Sequence, residues 1–254
     1  MRPIYVFAAL MVSFLMMPLV SLLAKTPIHA YSIGILSSPA MAAFRLSFLS
    51  STVSAAIIFI LGTPLAYCLA VKKSRLHRMV ELVVELPAVL PPAVAGIALL
   101  MAFGRQGTMG AVLSAMNMNI PFTALAVIIA QIFVSAGYYI KAARSAFESI
   151  EPAIREESLS IGANEWVMLT TIYMPMVVKT LISGCMSAWS RAIGEFGATM
   201  IFAGNLVGKT RTMPLAIYTA MQSNMNTALG LSVIMLMVSA IVLLLSRQLT
   251  HSVS

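Results

Sequence analysis

The stretch EESLSIGANEWVMLTTIYMP, Glu156 to Pro175, interrupts a chain that is otherwise overwhelmingly apolar. It carries the glutamates Glu156, Glu157 and Glu165, a single glycine and a closing proline. From Lys141 to Pro175 the chain stays polar for longer than a plain connection requires, and such long loops are usually structured or functional. Glu151-Pro152 predicts a helix start, because the first helical position needs no amide donor and an acid suits the positive helix end. Gly162 predicts the stop, as a left-handed residue beyond the last turn. Asn164 can cap a second short helix that contains Trp166 and runs until Pro175 opens the next apolar run. On the first helix, Ile150, Ala153, Ile154 and Ile161 fall on one face at helical spacing. The pattern predicts a stiff amphipathic knob. It fits either a groove in a soluble partner or a lipid surface.

Around this stretch the composition dictates the class. Hydrophobic residues make up 60% of the 254 and charged residues 9%, with a mean hydropathy of +0.94. A soluble domain carries roughly half apolar and one-quarter charged residues, so this is an integral membrane protein. A hydrocarbon core about 30 Å thick takes roughly 20 apolar residues per helix. Six runs meet that length: 4–23, 48–70, 79–103, 122–140, 175–203 and 227–245. They are too long, and alternate too little, for barrel strands. The first run resembles a signal peptide, but it has full spanning length and Lys25 and Pro27 precede the only Ala-x-Ala-like site, so it is expected to be retained.

Charge orients the bundle, because loops left in the cytoplasm carry the Lys and Arg excess. With both termini inside, Arg2, Lys72, Lys73, Arg75, Arg78, Lys141, Arg144, Arg155, Lys179 and Arg247 face the cytoplasm. The outer side keeps Lys25, Arg45, Arg105, Lys209 and Arg211. This bias and anionic headgroups account for the net charge of +8, and nucleic acid is not needed to explain it. Cys68 and Cys185, each within an apolar run, read as buried small hydrophobes. The methionines read as adaptable packing. His29, His77 and His251 are scattered, there is no Asp, and no nucleophile elbow or phosphate-binding loop occurs. No catalytic residue, metal site or cofactor is expected, so any work done here draws its energy from elsewhere.

Glu156, Gly162, Ile172 and Pro175 reproduce the E-A-A-x-x-x-G-x9-I-x-L-P spacing of the permease subunits of ABC importers. The match departs at Glu157 and Ser158, where alanines are usual, and at Met174 for Leu. In that family the segment is the coupling helix that sits on the ATPase subunit. The resemblance therefore implies ATPase-coupling roles for Glu156, Glu157, Gly162, Ala163, Asn164, Trp166, Ile172 and Pro175. Two further segments narrow it. LPAVLPPAVAGIALLMAFGRQG, Leu86 to Gly107, and RAIGEFGATMIFAGNLVGKTRTMPLAIY, Arg191 to Tyr218, resemble the molybdate permeases of the oxyanion group. Those carry P-P-x-V-A-G-x-x-L-L and G-E-F-G-A-T-x-x-x-A-G-N. Sulfate permeases tend to read G-E-Y-G-S instead, which leaves sulfate or thiosulfate as the alternative substrate.

The second and third segments also hold the intramembrane chemistry. Arg191 and Glu195 are four apart on one helix face, in position to pair, and a charge at that depth must face protein or water. Pro91-Pro92 removes two amide donors and disrupts the third run, which is tolerated only beside protein or a cavity. Pro91, Pro92, Gly96, Arg191, Gly194, Glu195 and Gly197 are thus expected to line the translocation path or gate. The resemblance implies an all-α type I importer permease fold with six spans in the inner membrane. Residues 1–41 would form the first span and outer loop, 42–246 the shared transmembrane domain and 247–254 a cytoplasmic tail. The implied partners are an ATPase subunit, an extracytoplasmic oxyanion-binding protein and a second copy of the chain. An ion-coupled secondary transporter would instead carry repeats and titratable midplane groups, of which Glu195 is the lone candidate.

Overall fold

In hydrocarbon each backbone amide and carbonyl must be satisfied within the protein, so long apolar runs fold as helices. The computed structural model describes residues 2–27, 38–72 and 74–251, and no strand occurs among them. His29, Lys73 and residues 252–254 lie outside the described residues. The helices are α1 Arg2–Lys25, α2 Ser38–Val71, α3 Arg75–Val89, α4 Pro92–Phe103, α5 Gly110–Ala115 and α6 Ala124–Glu148. They continue as α7 Pro152–Ser160, α8 Glu165–Ile193, α9 Gly197–Phe202, α10 Met213–Ser223 and α11 Met225–His251. Among the described residues five are long and apolar enough to cross a membrane, and the bent pair α3–α4 makes up to six.

The centre of the bundle is α2 packed along α6, with α8 against both. α3 and α4 follow α6 on another side, α9 lies on α4, and α10 joins α11 to α2. α1 rests on α11 and exposes nearly every side chain. Apolar burial alone does not hold helices together in lipid, so close packing of small residues must do so. The contacts show this: Ala95, Ala126, Ala130 and Ala198 share one cluster, and Ala40, Ala43, Ala216 and Ala228 another. A third cluster, built on Tyr67, Tyr139, Phe147, Leu169 and Tyr173, is aromatic and lies toward the α7 end.

Several boundaries differ from the sequence expectation. α2 begins at Ser38 and α6 ends at Glu148, so both extend well beyond their apolar runs. The third run is two helices meeting at a bend of 117°, with Leu90 and Pro91 between them. The fifth run does not start at Pro175 or reach Ala203. One helix runs from Glu165 to Ile193, and Gly197–Phe202 is a separate piece. Pro175 fails to break α8 because Met168–Tyr173 forms a wider π-helical turn just ahead of it, which makes room for the ring that lacks an amide. A residual kink follows at Val177, with φ −117° and ψ 15°. Cys68 is exposed, and Cys185 is half-buried, with its thiol 3.9 Å from the Ala55 carbonyl where α8 packs on α2.

Buried polar side chains pin the helices in register. Ser54 donates to Gln131 Oε1 at 3.1 Å between α2 and α6. At the start of α10 the cap residue Thr212 makes no side-chain bond, and the orphan amide of Met213 donates instead to Ser47 Oγ at 2.7 Å. Ser47→Ala leaves that buried N–H unpaired, at a cost of about 1–3 kcal/mol. A lowered thermal unfolding midpoint of the purified variant, with Ser50→Ala as the local control, checks this tether.

Candidate functional site

Helix α7 and the turn after it form the knob. Glu151 caps α7 without a side-chain bond, and Pro152 fills its first position. Gly162 takes φ +83°, and the amides of Gly162 and Ala163 return to the carbonyls of Leu159 and Ser158. That closes the helix as a left-handed C′ residue does. Asn164 caps α8 by accepting from the Val167 amide at 2.9 Å. The apolar face is divided, however. Ile150 and Ile154 pack inward, whereas Ala153 is exposed and Ile161 is 83% exposed. Ile161 keeps the helical bond to Glu157 but stands seven residues, about 10 Å, beyond Ile154 along the axis, past the core that covers Ile154. With Leu159, Trp166 and Val167 it makes an exposed apolar tip. Glu156 and Glu157 stand exposed beside it. Ile172 and Pro175 lie farther along α8 and take no part in the tip.

The root of the knob is fixed by a residue whose role the sequence reading missed. Glu165 accepts from Arg155 Nη2 at 2.8 Å and from Tyr67 Oη at 2.6 Å. One carboxylate thereby joins α7, α8 and α2. Tyr67 in turn stacks edge-on against Phe147 and Tyr173, with ring centroids 5.9 and 5.2 Å away. The signal was present as an acid in the first turn of a helix, but its tyrosine partner is 98 residues distant.

The expected gate residues gather at the α4–α9 contact. Pro92 lies against Gly197 so closely that a Cβ at Gly197 would overlap the proline ring. At Gly96 a Cβ would come within 2.8 Å of Ile201 Cβ and 3.0 Å of the Ala198 carbonyl. Arg191 Nη1 lies 2.6 Å from Glu195 Oε2, and Glu195 is 1% exposed. The other oxygen, Oε1, accepts from the Ala198 amide at 2.9 Å. Glu195 thus neutralises Arg191 at the end of α8 and caps the start of α9, the two helix ends that attract those charges. Gly194 stands apart: it is exposed, has φ −84°, and ordinary contacts would surround an added Cβ.

Comparison with known proteins bears on this arrangement. Residues 59–253 match the family model described as binding-protein-dependent transport system inner membrane component. The chain is 45% identical over 203 residues, 80% of its length and 71% of the relative's, to the probable transport system permease protein NifC of Clostridium pasteurianum. It is 35% identical over 243 residues, 96% of its length and 92% of the relative's, to the molybdenum transport system permease protein ModB of Mycobacterium bovis. The fold is shared with a chain of a bacterial alginate ABC transporter complexed with its periplasmic protein, at a TM-score of 0.76 and 18% identity, covering 99% of this chain and 96% of that one.

The junction makes two ordered predictions. Arg191→Gln leaves a buried carboxylate without its cation and should cost about 3–5 kcal/mol. Glu195→Gln removes the charge and keeps an acceptor for Ala198, so it should cost less. Gly197→Ala forces the rigid proline aside at about 1–3 kcal/mol, while Gly194→Ala should be neutral or slightly stabilising. Thermal unfolding midpoints of the four purified variants test both orders.

Proposed function

The chain belongs to the family of inner membrane components of binding-protein-dependent transport systems, and from that premise we propose that it is the membrane conduit of an ATP-driven importer of molybdate. The observation that carries the reading is the Gly162 knob. Its apolar tip of Leu159, Ile161 and Trp166 is exposed, while its root is bolted to two long helices through Glu165. A surface of this kind suits insertion into a soluble partner better than loose contact with lipid, because a rigid root transmits force. ATP hydrolysis falls to that partner, a separate ATPase subunit, and the permease contributes no catalysis of its own. Molybdate is favoured by the likeness to ModB and by Phe196 and Ala198, where sulfate permeases tend to carry Tyr and Ser. Tungstate has the same charge and shape and is expected to pass by the same route.

In this reading the charge bias places the knob and both termini in the cytoplasm. Two copies meet around the α4–α9 junction, and a receptor delivers the anion at the opposite end. Closure of the ATPase pair draws the knobs together, and α8 carries the displacement to Arg191 and Glu195. Broken helices at such a path offer amides and helix ends to an anion without trapping it.

Gly162→Val places a β-branched residue at a positive φ although an added Cβ meets nothing within 4 Å, so the strain is confined to the knob turn. In vesicles containing permease, ATPase and receptor, this variant should still insert and assemble, and molybdate uptake should fall while ATP hydrolysis persists. Uptake at the parental rate would remove the docking role. Cysteine at the exposed Gly194 should crosslink between two copies; no crosslink in any nucleotide state would remove the gate from the subunit interface.

A further inference from the structure

At the end of the bundle opposite the knob, a cavity of about 430 Å³ opens between the end of α4 and the chain entering α6. Arg105, Gln106 and Asn119 line it, with Leu100, Gly107 and Phe122. Its polar side chains are one guanidinium and two amides, and no carboxylate faces it. Arg144, Arg155 and Arg191 are each paired with glutamate, whereas Arg105 has no ion pair among the described residues. The reason extends over the whole chain. It contains eight glutamates and no aspartate. Glu81 and Glu85 pair with Arg144 and Lys141 in the knob-side half, and Glu148, Glu151, Glu156, Glu157 and Glu165 lie at the knob itself. Glu195, the remaining acid, is buried and neutralised by Arg191. The far end therefore has cations and no free acid, and a cleft with low-dielectric walls concentrates such a field on small anions.

The cavity is also held in shape. At Gly104, Gly107 and Gly110 an added Cβ would collide with the carbonyls of Leu100, Met101 and Arg105, so the loop closes this tightly only with glycine. Phe122 is held at φ +62°, a conformation a bulky residue adopts only when its surroundings impose it. Its amide donates to Phe202 at the end of α9, and its ring lies over Gly204, where a Cβ would approach to 2.9 Å. One wall of the cavity is thus tied to α9, the helix that Glu195 caps at its other end.

We propose that this cavity is an entry site for a tetrahedral oxyanion, with the Arg105 guanidinium as the charged donor and the Gln106 and Asn119 amides as neutral ones. The assignment rests on the importer reading above and adds to it a place where the permease itself holds the released anion. A planar guanidinium donates two parallel bonds to an oxyanion, and amides add directional contacts with no competing acceptor charge. A lone cation with amides also binds weakly enough to let the anion move on.

The test uses right-side-out vesicles of the permease–ATPase complex without receptor. Met101→Cys, an exposed position that lines the cavity and supplies none of the proposed donors, is labelled with a membrane-impermeant methanethiosulfonate, and the labelling of the parent complex is subtracted as background from Cys68 and Cys185. Sodium tungstate should slow the labelling, to about one-tenth of the free rate at about ten times the half-protecting concentration, whereas sodium chloride at equal ionic strength should not. In Met101→Cys with Arg105→Gln the protection should vanish. No protection with Arg105 present, or equal protection without it, overturns the site. Receptor affinity for the Arg105→Gln complex is measured alongside. Absent protection together with weakened receptor binding would make the cavity a protein-docking surface and overturn the proposal. Receptor-driven molybdate uptake by the parent complex is the separating control: uptake without protection sinks the site alone, and no uptake sinks the importer reading beneath it.

Discussion

Backbone that leaves the helical state inside a bilayer must find its hydrogen bonds within the protein, and this constraint governs the two broken segments of the chain. The first break is made of prolines, which have no amide to leave unpaired. The second, from Gly194 to Phe196, is closed by the Glu195 carboxylate, which takes the Ala198 amide on one oxygen and Arg191 on the other. Neither break stands alone. Pro92 fills the space that Gly197 leaves open, and Gly96 lets α9 approach α4 to backbone contact. The irregular backbone, the buried charge and the small residues are therefore parts of one junction. Removing the carboxylate altogether would leave the Ala198 amide and the Arg191 guanidinium without their partner at a depth where lipid cannot solvate them.

The same economy of polar groups appears at the knob. Glu165 is satisfied by a cation from α7 and a phenol from α2, so the short helix cannot swing without breaking a charge-assisted bond. Glu165 opens α8 and Arg191 lies in its last turn, so one helix joins the knob to the junction. Its 29 residues extend roughly 40 Å at 1.5 Å each. The π turn at Met168–Tyr173 and the kink at Val177 are the places along it where the hydrogen-bond ladder departs from the α pattern. Bending would concentrate there, and the segment beyond would move as a unit.

Much of this was legible from local signals. Gly162 and Asn164 specify their turn and cap through their own backbone and side-chain chemistry, and both are found as read. The Arg191–Glu195 pair follows from helical spacing over four residues. Other features were hidden. Pro175 reads as a boundary because an isolated proline breaks a helix, yet the π turn before it absorbs the ring. Ile161 keeps the periodicity of α7 but sits at its far end, beyond the core that covers Ile154. Cys68 looks buried in an apolar run, because in a membrane protein apolar composition does not distinguish the lipid face from the core. The Glu165–Tyr67 bond joins residues from separate helices, and no window of sequence contains both.

The sequence by itself determined that the chain is a helical membrane protein, which way its charge is biased, that its third run breaks at the paired prolines and how the knob turns, since each depends on composition or on neighbours within a turn or two. The tertiary structure decided which broken ends meet, which acid holds the knob, and that Arg105 faces a cavity free of carboxylates. Those outcomes are contacts between helices distant in sequence. In a bilayer they are selected by the fit of small residues and the need to satisfy each polar group, which hydropathy does not encode.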